Sequence, residues 1–253
     1  MLENPLRALW AAGKPVYNAW INFAYSWSAE IMAHAGLDSL TVDMQHGMAD
    51  FGALIPILQA IGTRNIPTLV RVAWNEPGLI AQILDAGAYG VICPMVNTRA
   101  QAESFVAACR YPPVGNRSYG PARARLLYGA EYAARANTFA LTFAMIETVE
   151  AVTNMDAIMS TPGLDGIYIG PADLSVSHGK PPATDLTDPD MLAVVDRIVA
   201  AANRHGIIAG IHTATPEHAL KMVAKGFRFV TATADNLLLQ AGLESVVKKL
   251  RGA

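Results

Sequence analysis

Cysteine is scarce: only Cys93 and Cys109 occur, both in apolar surroundings. That excludes a disulfide-stapled fold and a cysteine-rich metal site, and leaves two free thiols in a reducing compartment as the plain reading. Charge is scarce too. Charged residues make up 16% of the chain, and 19 basic against 21 acidic residues leave a net charge of −2. No global field of either sign draws nucleic acid or anionic lipid. Long apolar runs are also missing. The longest stretch without a charge, 15–29, holds Asn18 and Asn22 and is too short and too polar to span a bilayer. The opening MLENPLRALW lacks a basic segment followed by an apolar one, so no secretory signal is expected and the cytoplasm is the expected compartment. P-loop, HExxH, CxxC and GxSxG patterns are absent. No lysine stands at the end of a strand-like run, which argues against Schiff-base chemistry. The last two such runs are followed by HTATPE and TATADN, with no glycine-rich phosphate cradle.

What is present is a long apolar chain, 52% hydrophobic over 253 residues, large enough to bury a core without covalent staples. Short runs rich in β-branched and aromatic residues, bounded by Gly, Pro, Asn or Asp, fall at 15–21, 39–43, 67–72, 90–93, 140–147, 166–169, 207–211 and 227–231. Helical patterns lie between them, at 28–35, 51–61, 77–86, 99–110, 149–159, 189–205, 216–225 and 236–250, with a short one near 4–12. Pro77, Pro189 and Pro216 stand where helices begin, and Gly36, Gly87, Gly206 and Gly226 where they end. Strands separated by helices pair in parallel. Eight such units predict an α/β fold of the (β/α)8 TIM-barrel type, a single domain over 1–253. An open doubly wound sheet is the alternative, weakened by the lack of GxGxxG after the first strand. Two long connections interrupt the rhythm: the Arg- and Tyr-rich stretch between 110 and 140, and 175–190.

In barrels the chemistry sits at the carboxyl ends of the strands. Glu147 and Asp173 fall there on neighbouring units, and two carboxylates suit a hard dication that takes its other ligands from water and substrate. Alternatively, both acids simply complement helix N-termini. Arg71 ends an otherwise apolar strand. Its fork suits a substrate carboxylate or an enolate oxygen, or else a structural bond to Asp43 or Glu147. His46, in a Gly-flanked turn, is a candidate acid or base, or a solvated side chain. Gly170, Pro171 and Ala172 offer two backbone N–H groups to a carboxylate, or form an ordinary turn. Asp85 is badly placed for the dipole of its helix end, which suggests a tertiary partner or a solvated acid. Arg117, Arg123 and Arg125 form a basic cluster that meets an anionic substrate tail, stays solvated or bridges subunits. His178 and His212 receive no role.

The segments VDMQHGMADF, LVRVAWNEP, LDAGAYGVICPMV, RYPPVGNRSYGP, MIETVEAVTN and GIYIGPADLS, in this order, resemble the HpcH/HpaI family of metal-dependent pyruvate aldolases over nearly the whole chain. Its members include 4-hydroxy-2-oxoheptanedioate and 2-keto-3-deoxy-sugar-acid aldolases. The resemblance implies a class II lyase that cleaves a 4-hydroxy-2-oxoacid to pyruvate and an aldehyde through an enolate. It implies a homohexamer built from dimers that swap their last helix, with small-molecule substrates and no nucleic-acid or membrane partner. It implies a divalent metal, Mg²⁺, Mn²⁺ or Co²⁺, held by Glu147 and Asp173. It makes His46 the catalytic histidine, Asp85 the acid that raises its basicity and Arg71 the transition-state arginine. Gly170–Ala172 would receive the pyruvate carboxylate and Trp20 would wall the pocket. Two positions depart from some members: Met44-Gln45 stands in place of Gly-Glu, and Met145 in place of a substrate-binding Gln. Oxaloacetate decarboxylation, or a barrel that binds without catalysis, are the alternatives.

Overall fold

Eight parallel strands close on themselves in sequence order: β1 (Val16–Ile21), β2 (Ser39–Asp43), β3 (Thr68–Arg71), β4 (Gly90–Cys93), β5 (Leu141–Ile146), β6 (Gly166–Ile169), β7 (Ile208–His212) and β8 (Phe229–Ala234), with β8 paired back to β1. The structure, a computed structural model, describes residues 3–252. The (β/α)8 barrel read from the sequence is therefore the fold, with strand limits that match to within three residues.

Side chains alternate across each strand. One set, including Ala19, Ile21, Val42, Val70, Val91, Ile146 and Ile169, packs outward against the helices. The other set, including Val16, Leu69, Ile92, Leu141, Phe143, Tyr168 and Phe229, fills the barrel. The helix Pro5–Ala11 closes the lower end, where Trp10 meets the rings of Phe143 and Phe229 edge-on and Asn4 donates to the carbonyls of Tyr89 and Phe139. The outer helices carry the expected signals. Pro77, Pro189 and Pro216 open theirs behind caps at Glu76, Asp188 and Thr215, and Gly206 closes one at φ 66°.

Three local features differ from the sequence reading. The stretch 149–159 is two short helices, Val149–Thr153 and Met155–Met159, broken at Asn154, whose side chain donates instead to the Asn97 carbonyl at 2.8 Å. A further helix, Pro171–Ser177, starts directly after β6. The long connection before β5 carries the helices Ala122–Tyr128 and Tyr132–Phe139. It joins the end of an outer helix to the start of a strand, so it lies at the lower, amino-terminal end of the barrel, away from the strand ends where chemistry is expected.

Candidate active site

The uppermost inward-facing residues form the site. Alternation points Trp20 of β1, Asp43 of β2, Arg71 of β3, Met145 of β5, Tyr168 of β6 and His212 of β7 into the barrel near its carboxyl end. Continuing each strand by one inward step adds Glu147 after Met145 and Gly170 after Tyr168. A cavity of about 160 Å³ opens there, lined by Trp20, His46, Arg71, Met145, Gly170–Asp173 and His212 among others. A second, of about 360 Å³, adjoins it across Trp20, His46, Arg71 and His212.

Glu147 is 2% exposed. Its Oε1 accepts a hydrogen bond from Met95 N at 2.7 Å, while Oε2 accepts none from the described residues. Burial, and after it the charge of Asp173, pushes its carboxyl up to about 7, against a downward pull from the Met95 N–H and Arg71. Met95 donates from a left-handed backbone, φ 56°, a conformation disfavoured for a residue with a long side chain and often found at sites with a role. Nothing in the sequence signals it. Gly170 lies against Glu147 so closely that a Cβ would collide with Oε2. Asp173, in the first turn of Pro171–Ser177, is exposed and makes no salt bridge among the described residues. Pro171 has no N–H, and the Ala172 N–H belongs to a first turn, where no intrahelical acceptor exists.

Arg71 is held twice. Its Nε and Nη2 donate to Asp43 at 2.8 and 2.6 Å, and its guanidinium carbon lies 4.4 Å from the centre of the Trp20 ring. The structural bond to Asp43 is thus real, yet it leaves the Nη1 edge unused beside the cavity. Burial alone would raise the Asp43 carboxyl, but the hydrogen bonds and charge of Arg71, with the N–H groups of Gln45 and His46, hold it below the usual range. His46 is exposed at the mouth of both cavities.

The structure does not bring Asp85 to His46 within one chain. Asp85 ends the helix Pro77–Asp85, which runs back down the barrel from β3, so in its own chain it lies at the opposite end from His46. Its partner is Arg117 at 2.5 Å, a buried guanidinium stacked 4.5 Å from the Tyr111 ring. Arg123 lines a separate lower cavity with Thr68, Gly87 and Tyr89. The basic cluster therefore does not reach the substrate mouth of its own chain. Conversely, sequence reasoning gives His212 no role, although it follows the apolar run of β7 just as Glu147 follows β5.

The cavity's donor set fits a hard dication. Asp173 lines the cavity and the Glu147 carboxylate packs against Gly170 of its wall, while among the described residues no group of three or more His, Cys, Asp or Glu could hold a metal alone. Such a pair leaves coordination positions for water and substrate oxygens. Gly170→Ala is expected to displace the Glu147 carboxylate, lowering kcat on the order of 10²-fold, with a stability loss of about 1–3 kcal/mol. Steady-state rates and a thermal melt check both.

A hydroxypyruvate/pyruvate aldolase of Rhizorhabdus wittichii is 39% identical over 248 residues, 98% of this chain and 99% of its own. A 4-hydroxy-2-oxo-heptane-1,7-dioate aldolase of Salmonella typhimurium is 36% identical over 261 residues, 100% of this chain and 98% of its own. The crystal structure of an HpcH/HpaI aldolase/citrate lyase family protein from Burkholderia cenocepacia superposes with a TM-score of 0.90 at 29% identity, covering 98% of each chain. The family model for HpcH/HpaI aldolase/citrate lyase matches residues 17–241, and the chain belongs to that family.

Proposed function

We propose that the chain is a class II pyruvate aldolase: a metal-dependent lyase that splits a 4-hydroxy-2-oxoacid into pyruvate and an aldehyde, and joins them in reverse. The observation that carries this reading is the buried Glu147 carboxylate packed against Gly170, with Gly170, Asp173 and Arg71 on the wall of one cavity. Glu147 and Asp173 would hold the cation, Mg²⁺, Mn²⁺ or Co²⁺, which when bound supplies Lewis-acid polarisation of a 2-oxo carbonyl. The Ala172 and Gly170 N–H groups would take the pyruvate carboxylate. Arg71 Nη1 would meet the oxygen on which enolate charge develops, in a fixed orientation set by Asp43 and Trp20. His46, at the open mouth, would carry a proton between water and the alkoxide of the aldol. Asp85 can serve a His46 only from a neighbouring copy of the chain. The helix Asp235–Arg251 supports an oligomer with exchanged helices, because it exposes Leu238, Leu239, Leu243, Val246 and Leu250. The homohexamer is proposed on that basis, and the cytoplasm on the two buried thiols.

The test is methyl proton exchange of pyruvate in D₂O, followed by NMR with and without chelator. Exchange that requires a divalent metal supports the reading, and its absence with every metal overturns it. Adding aldehydes or oxaloacetate then ranks aldol chemistry against decarboxylation.

A pH dependence follows from Glu147. Without a cation its carboxyl titrates near 7, so metal binding at lower pH must expel a proton. Apparent metal affinity is expected to fall roughly tenfold per unit as pH drops below that value. The sign for stability is opposite. In the metal-free protein the raised carboxyl contributes stability that is fully present below the ordinary carboxyl value and is lost as pH rises through about 7. Calorimetric titration in buffers of different ionisation enthalpy checks the proton release.

A further inference from the structure

The turns that follow β4 and β5 are tied to each other beside Glu147. The two strands pair in parallel, with Cys93 opposite Ala144, so their turns leave the barrel rim as neighbours. Met95 on the first turn donates from its backbone N to Glu147 Oε1 on the second. Thr148, the next residue, donates from Oγ1 to Asn97 Oδ1 at 2.5 Å, two residues beyond Met95. The Asn97 carbonyl accepts from the Asn154 side chain, and the Asn97 N–H donates to Gln101 Oε1 at 2.7 Å. The backbone donor, backbone acceptor and side-chain oxygen of Asn97 are therefore all engaged. Between the two ties Val96, 1% exposed, is packed into the outer core.

This frame accounts for the left-handed Met95. A residue with a long side chain keeps φ at 56° where its surroundings over-determine it. Here β4 fixes the chain before Met95, and Val96 and Asn97 fix it after. The donor itself is a backbone group, and proline, the one residue that would delete it, cannot adopt a positive φ. What the side chains control is thus the shape of the turn that aims the N–H. On its other side the Glu147 carboxylate meets Gly170, where a Cβ would strike Oε2. A Glu side chain left free past a strand end samples many rotamers. This one is confined at both oxygens by the protein itself. Asn97, Gln101, Thr148 and Asn154 are all uncharged, so the frame supplies orientation and adds no charge of its own beside a cation.

We infer that Asn97 is a positioning residue for the metal centre: by tying the β4 turn to Thr148 it holds the Met95 N–H against Glu147 Oε1 and so presets the carboxylate for a divalent cation. This role rests on the aldolase reading above, in which Glu147 is a metal ligand. It acts on the affinity for the cation and not on a chemical step. Thr148 has two duties that substitution can separate. Its single hydroxyl proton goes to Asn97, while its oxygen caps the helix Val149–Thr153 by accepting from Ala151 N at 2.9 Å. Asn97→Ala breaks the tie and spares the cap. Thr148→Val breaks both, and Thr148→Ser keeps both.

The experiment titrates the metal-free protein with Mn²⁺ by calorimetry, and follows hydrogen exchange by mass spectrometry over overlapping peptides that cover Met95. Asn97→Ala is expected to weaken Mn²⁺ binding roughly tenfold, as loss of a group that orients a metal ligand does. Thr148→Val should weaken it to the same degree and Thr148→Ser should recover it. The double variant Asn97→Ala/Thr148→Val should bind no more weakly than the weaker single one, because both break the same bond. In the native metal-free protein the Met95 amide should be protected from exchange, and Asn97→Ala should lose that protection. A role confined to holding the two helices in place would instead lower the melting temperature and leave the Mn²⁺ affinity native. Native affinity in Asn97→Ala, an equal loss in Thr148→Ser, additive losses in the double variant, or a freely exchanging Met95 amide in the native protein overturns the inference. The native exchange needs no variant, so an Asn97→Ala protein that fails to fold leaves the inference open to refutation. Failure of the native chain to bind Mn²⁺, Mg²⁺ or Co²⁺ removes the metal-dependent reading and this inference together, whereas native binding that Asn97→Ala leaves undisturbed removes this inference alone.

Discussion

Glu147→Gln is expected to lower kcat/KM for aldol cleavage on the order of 10³-fold or more while the barrel stays folded. Loss of Lewis-acid polarisation removes several kcal/mol of transition-state stabilisation, and each 1.4 kcal/mol is about tenfold. The fold survives for a specific reason. Burial already pushes the Glu147 carboxyl up to about 7, so a neutral amide of the same shape resembles its protonated form. The amide oxygen that the substitution introduces can keep the hydrogen bond from Met95 N. Thermal melts should therefore show a metal-free melting temperature equal to or above the native one. The rise in melting temperature on adding Mn²⁺, about 2.7 kcal/mol of stabilisation at a hundredfold excess over Kd, should vanish. Near-native turnover, or an undiminished metal-induced rise, would remove Glu147 from the metal centre.

Arg71→Ala should cost on the order of 10²–10³ in rate, about 3–4 kcal/mol, as loss of a preorganised oxyanion donor does. A second effect accompanies it. Asp43, 1% exposed, loses the partner that held its charge, and breaking a buried pair in this way costs about 3–5 kcal/mol of stability. The two effects separate by pH. In the native protein the depressed Asp43 carboxyl contributes stability that is present above its ordinary value of 3.8 and lost as pH falls through the lower folded value. Without Arg71, burial dominates and raises that carboxyl, so the variant should gain melting temperature on mild acidification. Arg71→Lys should recover stability better than rate, because a point charge pairs with Asp43 but cannot also present the Nη1 edge. A variant with native turnover at full folding excludes Arg71 from the chemistry.

Much of this was legible in the sequence because strand alternation is a strict rule. Leu141, Phe143 and Met145 face inward, so Glu147 must follow them toward the mouth. The same count from Tyr168 brings Gly170 to the mouth, with Asp173 one helical turn beyond. Other features depend on geometry that periodicity does not carry. Asp43 and Arg71 are 28 residues apart and meet because β2 and β3 pair in that register. Asp85 reads as a site residue from its motif, but the direction of its helix carries it to the far end of the barrel. The left-handed Met95 has no sequence mark. His212 is seen to border both cavities only once the barrel is closed.

Anomalous diffraction from crystals soaked in Mn²⁺ and pyruvate is the most direct measurement. A single strong peak within coordination distance of both the Glu147 and the Asp173 carboxylate, with pyruvate oxygens completing its shell, is the expected result. A peak elsewhere, or none between those two side chains at saturating Mn²⁺, would contradict it.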